Sequence, residues 1–264
     1  MKENDIQGLI VDLRGNSGGY LHVAETMAKH FLSRGPLIFV RDQSRKLTPI
    51  HFSDGNSIGI PVVLLVNEES ASASEVLAGS LRDHGVATLI GTRTYGKGSV
   101  QQLIPLIDGS YLKLTVEEYL TPKRHTVDGD GLEPDIEVHD DAAQTIAALK
   151  HLGVDTFEIE WRSGRWELNG AAFPRPLSVL NVDGQIYLPV RVIAAWAGAD
   201  VSWNAVEQAV DFVRGDTRDI FPVDGTYVVL RQGTTFVSIE HLHRIFSEFQ
   251  VSYEDDQLSI RIAN

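Results

Sequence analysis

Apolar and polar positions along the first half of the chain fall into a layered rhythm. "QGLIVDLR" (7–14) is an apolar run ended by charge and reads as a buried strand of a parallel sheet. Past "GNSGG", the segment His22–Ser33 sets Val23, Met27, Ala28 and Phe31 at helical spacing, and Gly35-Pro36 stops it. "LIFV" follows as a second strand, then a polar stretch, then "IPVVLLVN" as a third. Ser72–Asp83 is helical, with Val76, Leu77, Ser80 and Leu81 on one face, and "VATLI" is a further strand. This alternation predicts α/β layers around a mainly parallel sheet.

From Ser99 the pattern changes. "SVQQLIPLIDGSYLKLTVEEYLTP" predicts an antiparallel hairpin turning at Asp108-Gly109. "GDGLEPDIEV" is a turn-rich closing segment with a short terminal strand, and Asp140–Leu152 a helix ended by Gly153. The remainder, from about Thr156, holds Trp161, Trp166, Trp196 and Trp203 and a weak internal repeat. "NVDGQIYLPVRVIAAWAGADVSW…AVDFV" can be set against "PVDGTYVVLRQGTTFVSIEHLHRIFSEFQVSYEDDQLSIRI", each copy a strand pair, an amphipathic helix and a strand pair. Two domains are expected, 1–152 and 156–264.

Composition acts mainly by exclusion. The chain has 264 residues, 43% of them hydrophobic, and a formal charge of −13, which argues against nucleic-acid partners and docking on an anionic membrane surface. With no cysteine there are no disulfides, thiolate metal sites or cysteine nucleophile. No apolar run approaches the length of a membrane span, and "MKENDIQGLI" has no export-signal layout.

Candidate chemistry gathers at "GTRTYGKGSV" (91–100). A phosphate-binding loop needs Ser or Thr directly after its lysine and then a helix. Here Gly98 follows Lys97, and the next stretch is β-like with Pro105 inside it. A lysine between glycines has another use, because the flanking backbone can pass close to a partner, and a desolvated amine can serve as base to a serine. The partner sits in "NEESASASEVLAGSLRD" (67–83), which follows a strand and opens a helix at the sheet edge where ligands gather. Taken alone, Ser70, Ser72 and Ser74 read more readily as helix caps with Glu75 in the first turn; it is their occurrence together with the glycine-flanked lysine and "GNSGG" that changes the weighing. A Ser-His-Asp hydrolase through Asp83-His84 is the competing enzyme, but none of the serines in this block sits in a Gly-x-Ser-x-Gly elbow.

"DLRGNSGG" (12–19), "VNEESASASEVLAGSLRD" (66–83), "GTRTYGKGSVQ" (91–101) and "YLTPKRHTVDGDGLEPDIEV" (119–138) together resemble the carboxyl-terminal processing peptidases, or tail-specific proteases. The resemblance spans roughly residues 6–140, with the blocks in family order. It implies a crotonase-like layered sheet-and-helix protease core of α/β class, with Ser72 as nucleophile, Lys97 as general base and Gln101 steadying the lysine amine. The backbone N–H groups of Gly19 and Ala73 would form the oxyanion hole. Glu75, Asp83 and Thr94 fit supporting positions, while Ser70 and Ser74 are the wrong serines. The expected mechanism needs a dry, neutral amine at position 97 and predicts a rate that rises with pH as that amine loses its proton. No cofactor or metal is expected, and the partners are protein or peptide substrates. The family carries a PDZ domain and a first strand and helix upstream of "GLIVDLR", so the chain resembles the C-terminal part of a longer protease. A catalytically inactive peptide-binding or cell-envelope scaffold is the non-enzyme alternative.

The second half resembles the repeat module named after the N-terminal domain of copper amine oxidases, through "VDGQIYLPVRVIAAWAGADVSW" (182–203), a smaller α+β repeat domain. That resemblance implies an extracytoplasmic setting, secreted or cell-envelope, and an envelope or self-association contact for this half. It does not imply copper, since His241 and His243, two apart on a helix, face different ways.

Overall fold

The structure, a computed structural model, describes residues 6–162, 165–173, 177–223, 226–246, 249–254 and 257–263. The chain divides into two compact units at Glu137/Val138.

The first unit runs β1 (Leu9–Asp12), α1 (Leu21–Ala28), β2 (Gly35–Arg41), β3 (Leu47–Phe52), β4 (Val62–Val66), α2 (Ala73–Asp83), β5 (Ala87–Gly91), β6 (Ser99–Pro105), β7 (Tyr111–Leu120) and β8 (Ile136–Glu137). Two sheets result, a parallel one in the order β1-β4-β5-β8 and an antiparallel one in the order β3-β2-β7-β6. Strand β4 is "VVLLV", buried at every position, as a strand covered on both faces must be. Helix α2 is buried from Ala73 to Leu81. One core gathers Val62, Leu64 and Val66 of β4 with Val76, Leu77 and Leu81 of α2 and Leu37, Ile38 and Val40 of β2.

Three expectations change here. "LIFV" leaves the parallel sheet and pairs antiparallel with β7, and the polar stretch after it forms β3. β3 is an edge strand carrying Pro49, half-exposed along its length, so its pattern is too polar to announce a strand. Helix α1 ends at Ala28 and buries Ala24 and Ala28, leaving Val23 and Met27 exposed. The hairpin β6–β7 is as expected in form, but β6 and the first half of β7 are exposed, including Leu103, Leu112 and Leu114.

The second unit opens with α3 (Asp141–His151), then β9 (Thr156–Arg162), β10 (Arg165–Leu168), β11 (Ala171–Ala172), β12 (Leu180–Val182), β13 (Gln185–Pro189), α4 (Val190–Ala197), β14 (Asp200–Asn204), β15 (Ala209–Arg214), β16 (Thr217–Pro222), β17 (Val228–Arg231), β18 (Thr234–Ser238), α5 (Ile239–Ile245), β19 (Phe249–Glu254) and β20 (Gln257–Ala263). The expected boundary at 152–156 therefore falls inside this unit. The apolar face of α3, with Ala142, Ala143 and Ile146, enters the same core as Val192, Ile193 and Trp196 of α4. From β12 the order strand pair, helix, strand pair occurs twice, and β13 and β18 join the copies antiparallel.

Candidate active site

The site forms where β1, β4 and β5 of the parallel sheet reach their C-terminal ends. After β1, Arg14 forms a two-toothed pair with Asp12, at 2.9 Å from Nε to Oδ1 and 2.7 Å from Nη2 to Oδ2. The loop 15–19 that follows is fastened to the start of α2. Asn16 O accepts from Ala71 N at 3.1 Å and from Ser74 Oγ at 3.0 Å, and Asn16 Oδ1 accepts from Gly18 N at 2.9 Å. Gly18 has φ +95°, and a Cβ there would come within 2.4 Å of Ala71 O and 2.9 Å of Ser72 Cβ. Only glycine lets this loop lie against the serine.

Ser72 is the N-cap of α2, at φ 55° and ψ −117°. This is a sparsely populated conformation for a residue with a side chain, costing about 1–3 kcal/mol. The three serines of the block separate by what their hydroxyls do. Ser70 is buried, and its Oγ donates to Leu13 O at 2.8 Å and accepts from Asn67 N at 3.0 Å. Ser74 is buried and donates to Asn16 O. Ser72 is half-buried, and its hydroxyl oxygen faces the Glu75 N–H in a capping box while its proton goes to no acceptor among the described residues.

Glu75, fully buried in the first turn of α2, binds the serine to the lysine loop. Its Oε2 accepts from Ser72 N at 2.8 Å and from Lys97 N at 2.9 Å. Its Oε1 accepts from Gly96 N at 2.7 Å and from Thr94 Oγ1 at 2.5 Å. The amides of Ser72 and Lys97 thus share one carboxylate oxygen and lie no farther apart than two hydrogen bonds. Tyr119 adds a second tie. Its single phenol proton is shared between Lys97 O at 2.7 Å and Ser72 O at 3.1 Å. Burial, with the Glu75 and Asp128 carboxylates nearby, pushes this phenol's pKa up, so it stays a donor far into alkaline conditions.

The glycines around Lys97 make the close approach expected of them. A Cβ on Gly98 would come within 2.3 Å of Asp128 N, and one on Gly96 within 2.9 Å of Gly131 N. Gly98 N donates to Asp128 Oδ1, and Gly129 N to Gly96 O. The Lys97 backbone is held inward on every side, but its side chain is exposed rather than dry. The cause is local, since Glu75, Tyr119 and the 127–131 turn occupy the inner face of the loop and leave the side chain the open one.

Gln101 is also exposed, and its amide donates to Thr115 Oγ1 at 3.5 Å. No hydrogen bond joins it to Lys97 among the described residues. Lys97 lies in the loop before β6, and the β6–β7 ladder shifts register at Val100/Gln101, so strand parity does not carry from one residue to the other. The amides of Gly19 and Ala73 donate to nothing among the described residues. His84 has its Nε2 2.9 Å from Pro36 O, at the far end of α2 from Ser72. Asp83 accepts from Lys123 N at 2.8 Å and supports the turn after β7. His241 stacks on Tyr227 at 5.3 Å while His243 is exposed.

The sequence reading missed Tyr119 and the part played by Asp128. Tyr119 looks like any aromatic of a half-buried strand, and only the long-range fold puts its hydroxyl beside two active-site carbonyls.

Residues 1–138 match Peptidase family S41, and residues 167–241 match the copper amine oxidase N-terminal domain. Carboxyl-terminal-processing peptidase 3, chloroplastic, of Arabidopsis thaliana is 42% identical over 139 residues, covering 52% of this chain and 27% of that one. The carboxy-terminal processing protease CtpB of Bacillus subtilis is 37% identical over 139 residues, covering 52% of this chain and 29% of its own length. The match thus spans less than a third of either relative. Among solved structures, the photosystem II D1 C-terminal processing protease aligns with a TM-score of 0.51 at 36% identity, over 58% of this chain and 41% of that one. The α/β core is that of these proteases. The first of the two matches takes in more than half of the residues, and this chain belongs to peptidase family S41.

Proposed function

We propose that the chain is a serine endopeptidase that cleaves proteins after recognising their C-terminal region, with Ser72 as nucleophile and Lys97 as general base. One observation carries this reading. Of the three serines in the block, Ser72 alone combines a hydroxyl proton given to no protein acceptor among the described residues with a strained cap position, and two side chains tie its backbone to that of Lys97. The neutral Lys97 amine takes the Ser72 hydroxyl proton as Oγ attacks the peptide carbonyl. The N–H groups of Gly19 and Ala73 receive the oxyanion. The lysine ammonium then gives its proton to the leaving amine, and water repeats the cycle on the acyl-enzyme to release the acid and restore the serine. Gln101 is assigned to steadying the amine, which requires its amide to leave Thr115. A bound peptide lying over the loop removes water from Lys97, which the free chain does not do. The setting is extracytoplasmic, as the likeness of the second unit to the copper amine oxidase N-terminal module suggests, and that module supplies an envelope or self-association contact.

Ser72→Ala and Lys97→Ala should each lower casein cleavage by at least about 10³-fold, as for other catalytic nucleophiles and bases, while Ser70→Ala stays active. Labelling by a fluorophosphonate should follow Ser72. Loss of activity in Ser70→Ala with Ser72→Ala still active would overturn the assignment. The exposure of Lys97 favours a second reading, an inactive peptide-binding scaffold. Peptide binding without cleavage or labelling would select it.

A further inference from the structure

The second unit has a cleft of about 320 Å³ whose walls come from the start of α4, from β14 and β15, and from the β17–β18 hairpin. Its lining is mostly apolar, with Val201, Trp203 and Leu230 among the residues. Trp203 is 49% exposed, an unusual outlay of aromatic surface for a side chain with nothing to cover. The one ionic side chain in the lining is Arg191. It has no acidic partner among the described residues, in a chain whose net charge is −13.

Arg191 is also on the wrong end of its helix. It occupies the second position of α4, where the helix dipole is positive and an acid would be favoured. Pro189 at the N-cap supplies no side-chain acceptor, and the first turn holds no acidic residue. The repeat provides the control. In α5 the N-cap is Ser238, whose Oγ accepts from His241 N at 3.2 Å, and the position matching Arg191 is Glu240. Glu240 is in turn paired with Arg244 and accepts from Gln185. One copy of the module satisfies its helix start, and the other leaves a guanidinium and the first-turn N–H groups beside a cleft. Thr235 lines the same cleft, is only 8% exposed, and has a hydroxyl with no partner among the described residues. A local rule broken in one copy and kept in the other marks a functional position.

We propose that this cleft binds the free C-terminus of a peptide that ends in an apolar residue. The carboxylate pairs with the planar fork of Arg191, which suits a two-oxygen anion, and with the first-turn N–H groups of α4. The terminal side chain packs on Trp203, Val201 and Leu230. A glycan is less suited, because the lining has no Asp, Glu, Asn or Gln to read ring hydroxyls.

The test is calorimetry on the full chain carrying Ser72→Ala, so that the probe is not consumed and the result is independent of the proposed peptidase activity. An acetylated tetrapeptide ending in leucine should bind as the free acid and about tenfold or more weakly as the C-terminal amide. Arg191→Gln should bring the acid down to the level of the amide, and Arg191→Lys should restore part of the difference. The melting temperature of Arg191→Gln should not fall, since a cation leaves the first turn of a helix. Equal binding of acid and amide, no binding at millimolar peptide, or full binding by a folded Arg191→Gln protein would each overturn the proposal. Hexanoate binding as tightly as the peptide would overturn the peptide terminus as its ligand and make the cleft a site for small organic acids.

Discussion

The two sides of the candidate active site are built differently. The serine comes from the N-terminus of a helix buried through nine residues, Ala73 to Leu81, behind a strand buried at all five positions. The lysine comes from a loop that runs into β6, a strand exposed over most of its length. The serine is fixed by the core, whereas the lysine has only its backbone fixed, through Glu75, Tyr119 and the Asp128–Gly131 turn. Covalent reactivity asks for strain and immobility at the serine, while a lysine base needs loss of water, which a surface loop obtains from whatever lies over it. In this chain the first requirement is met in the free protein.

The sharpest way to break this arrangement is to remove the carboxylate common to both sides. Glu75→Ala leaves four donors without their acceptor, two of them in buried bonds, and should destabilise the first unit by about 3 kcal/mol or more, read as a lowered urea midpoint. Glu75→Gln should recover only part of this, because an amide nitrogen cannot accept. Next, Gly18→Ala places a methyl group where Ser72 and Ala71 already lie, at φ +95°. We expect about 1–3 kcal/mol of destabilisation and a loss of activity larger than that of any substitution on β6.

Tyr119→Phe tests the weaker of the two ties. It removes the bonds to both carbonyls and should cost about 1–2 kcal/mol, with kcat falling more than KM rises, as expected when geometry rather than binding is disturbed. The variant also carries a pH signature. The phenol pKa is raised in the folded protein by burial, so its stabilising contribution is complete below the unfolded value of about 10 and is lost as pH rises beyond it. The gap in stability between wild type and Tyr119→Phe should therefore be constant up to about pH 9 and narrow as pH rises beyond about 10 in urea titrations. The smallest effect belongs to Ser70→Ala, which loses bonds to Leu13 and Asn67. About 1 kcal/mol of stability should go, with cleavage retained.

The sequence was most readable where a residue's reason is local. "VVLLV" is apolar throughout because both faces are covered, and the glycines beside Lys97 predicted a close backbone approach that Asp128 and Gly131 supply. It was least readable where the reason lies across the fold. β2 and "VVLLV" look alike as apolar runs, and nothing within β2 says that its neighbour will be β7 of the antiparallel sheet. The helix Asp141–His151 follows the protease core without a break in composition, and only its packing with α4 assigns it to the second unit. At Gln101 strand alternation gives no guide to Lys97, since the β6–β7 ladder shifts register just before it. Tyr119 gives no local sign of its two carbonyl partners.

The shared carboxylate has a bearing on how such a protein comes into being. Residues 72 and 75 meet within one turn of α2, whereas residues 97 and 119 reach them only through tertiary structure, so a chain that has emerged only as far as α2 carries the Glu75 carboxylate without the Gly96 and Lys97 amides that bind it. Pairing of β7 with β2 brings Tyr119 to the Lys97 loop, so the four residues meet only once the last hairpin of the first unit is in place.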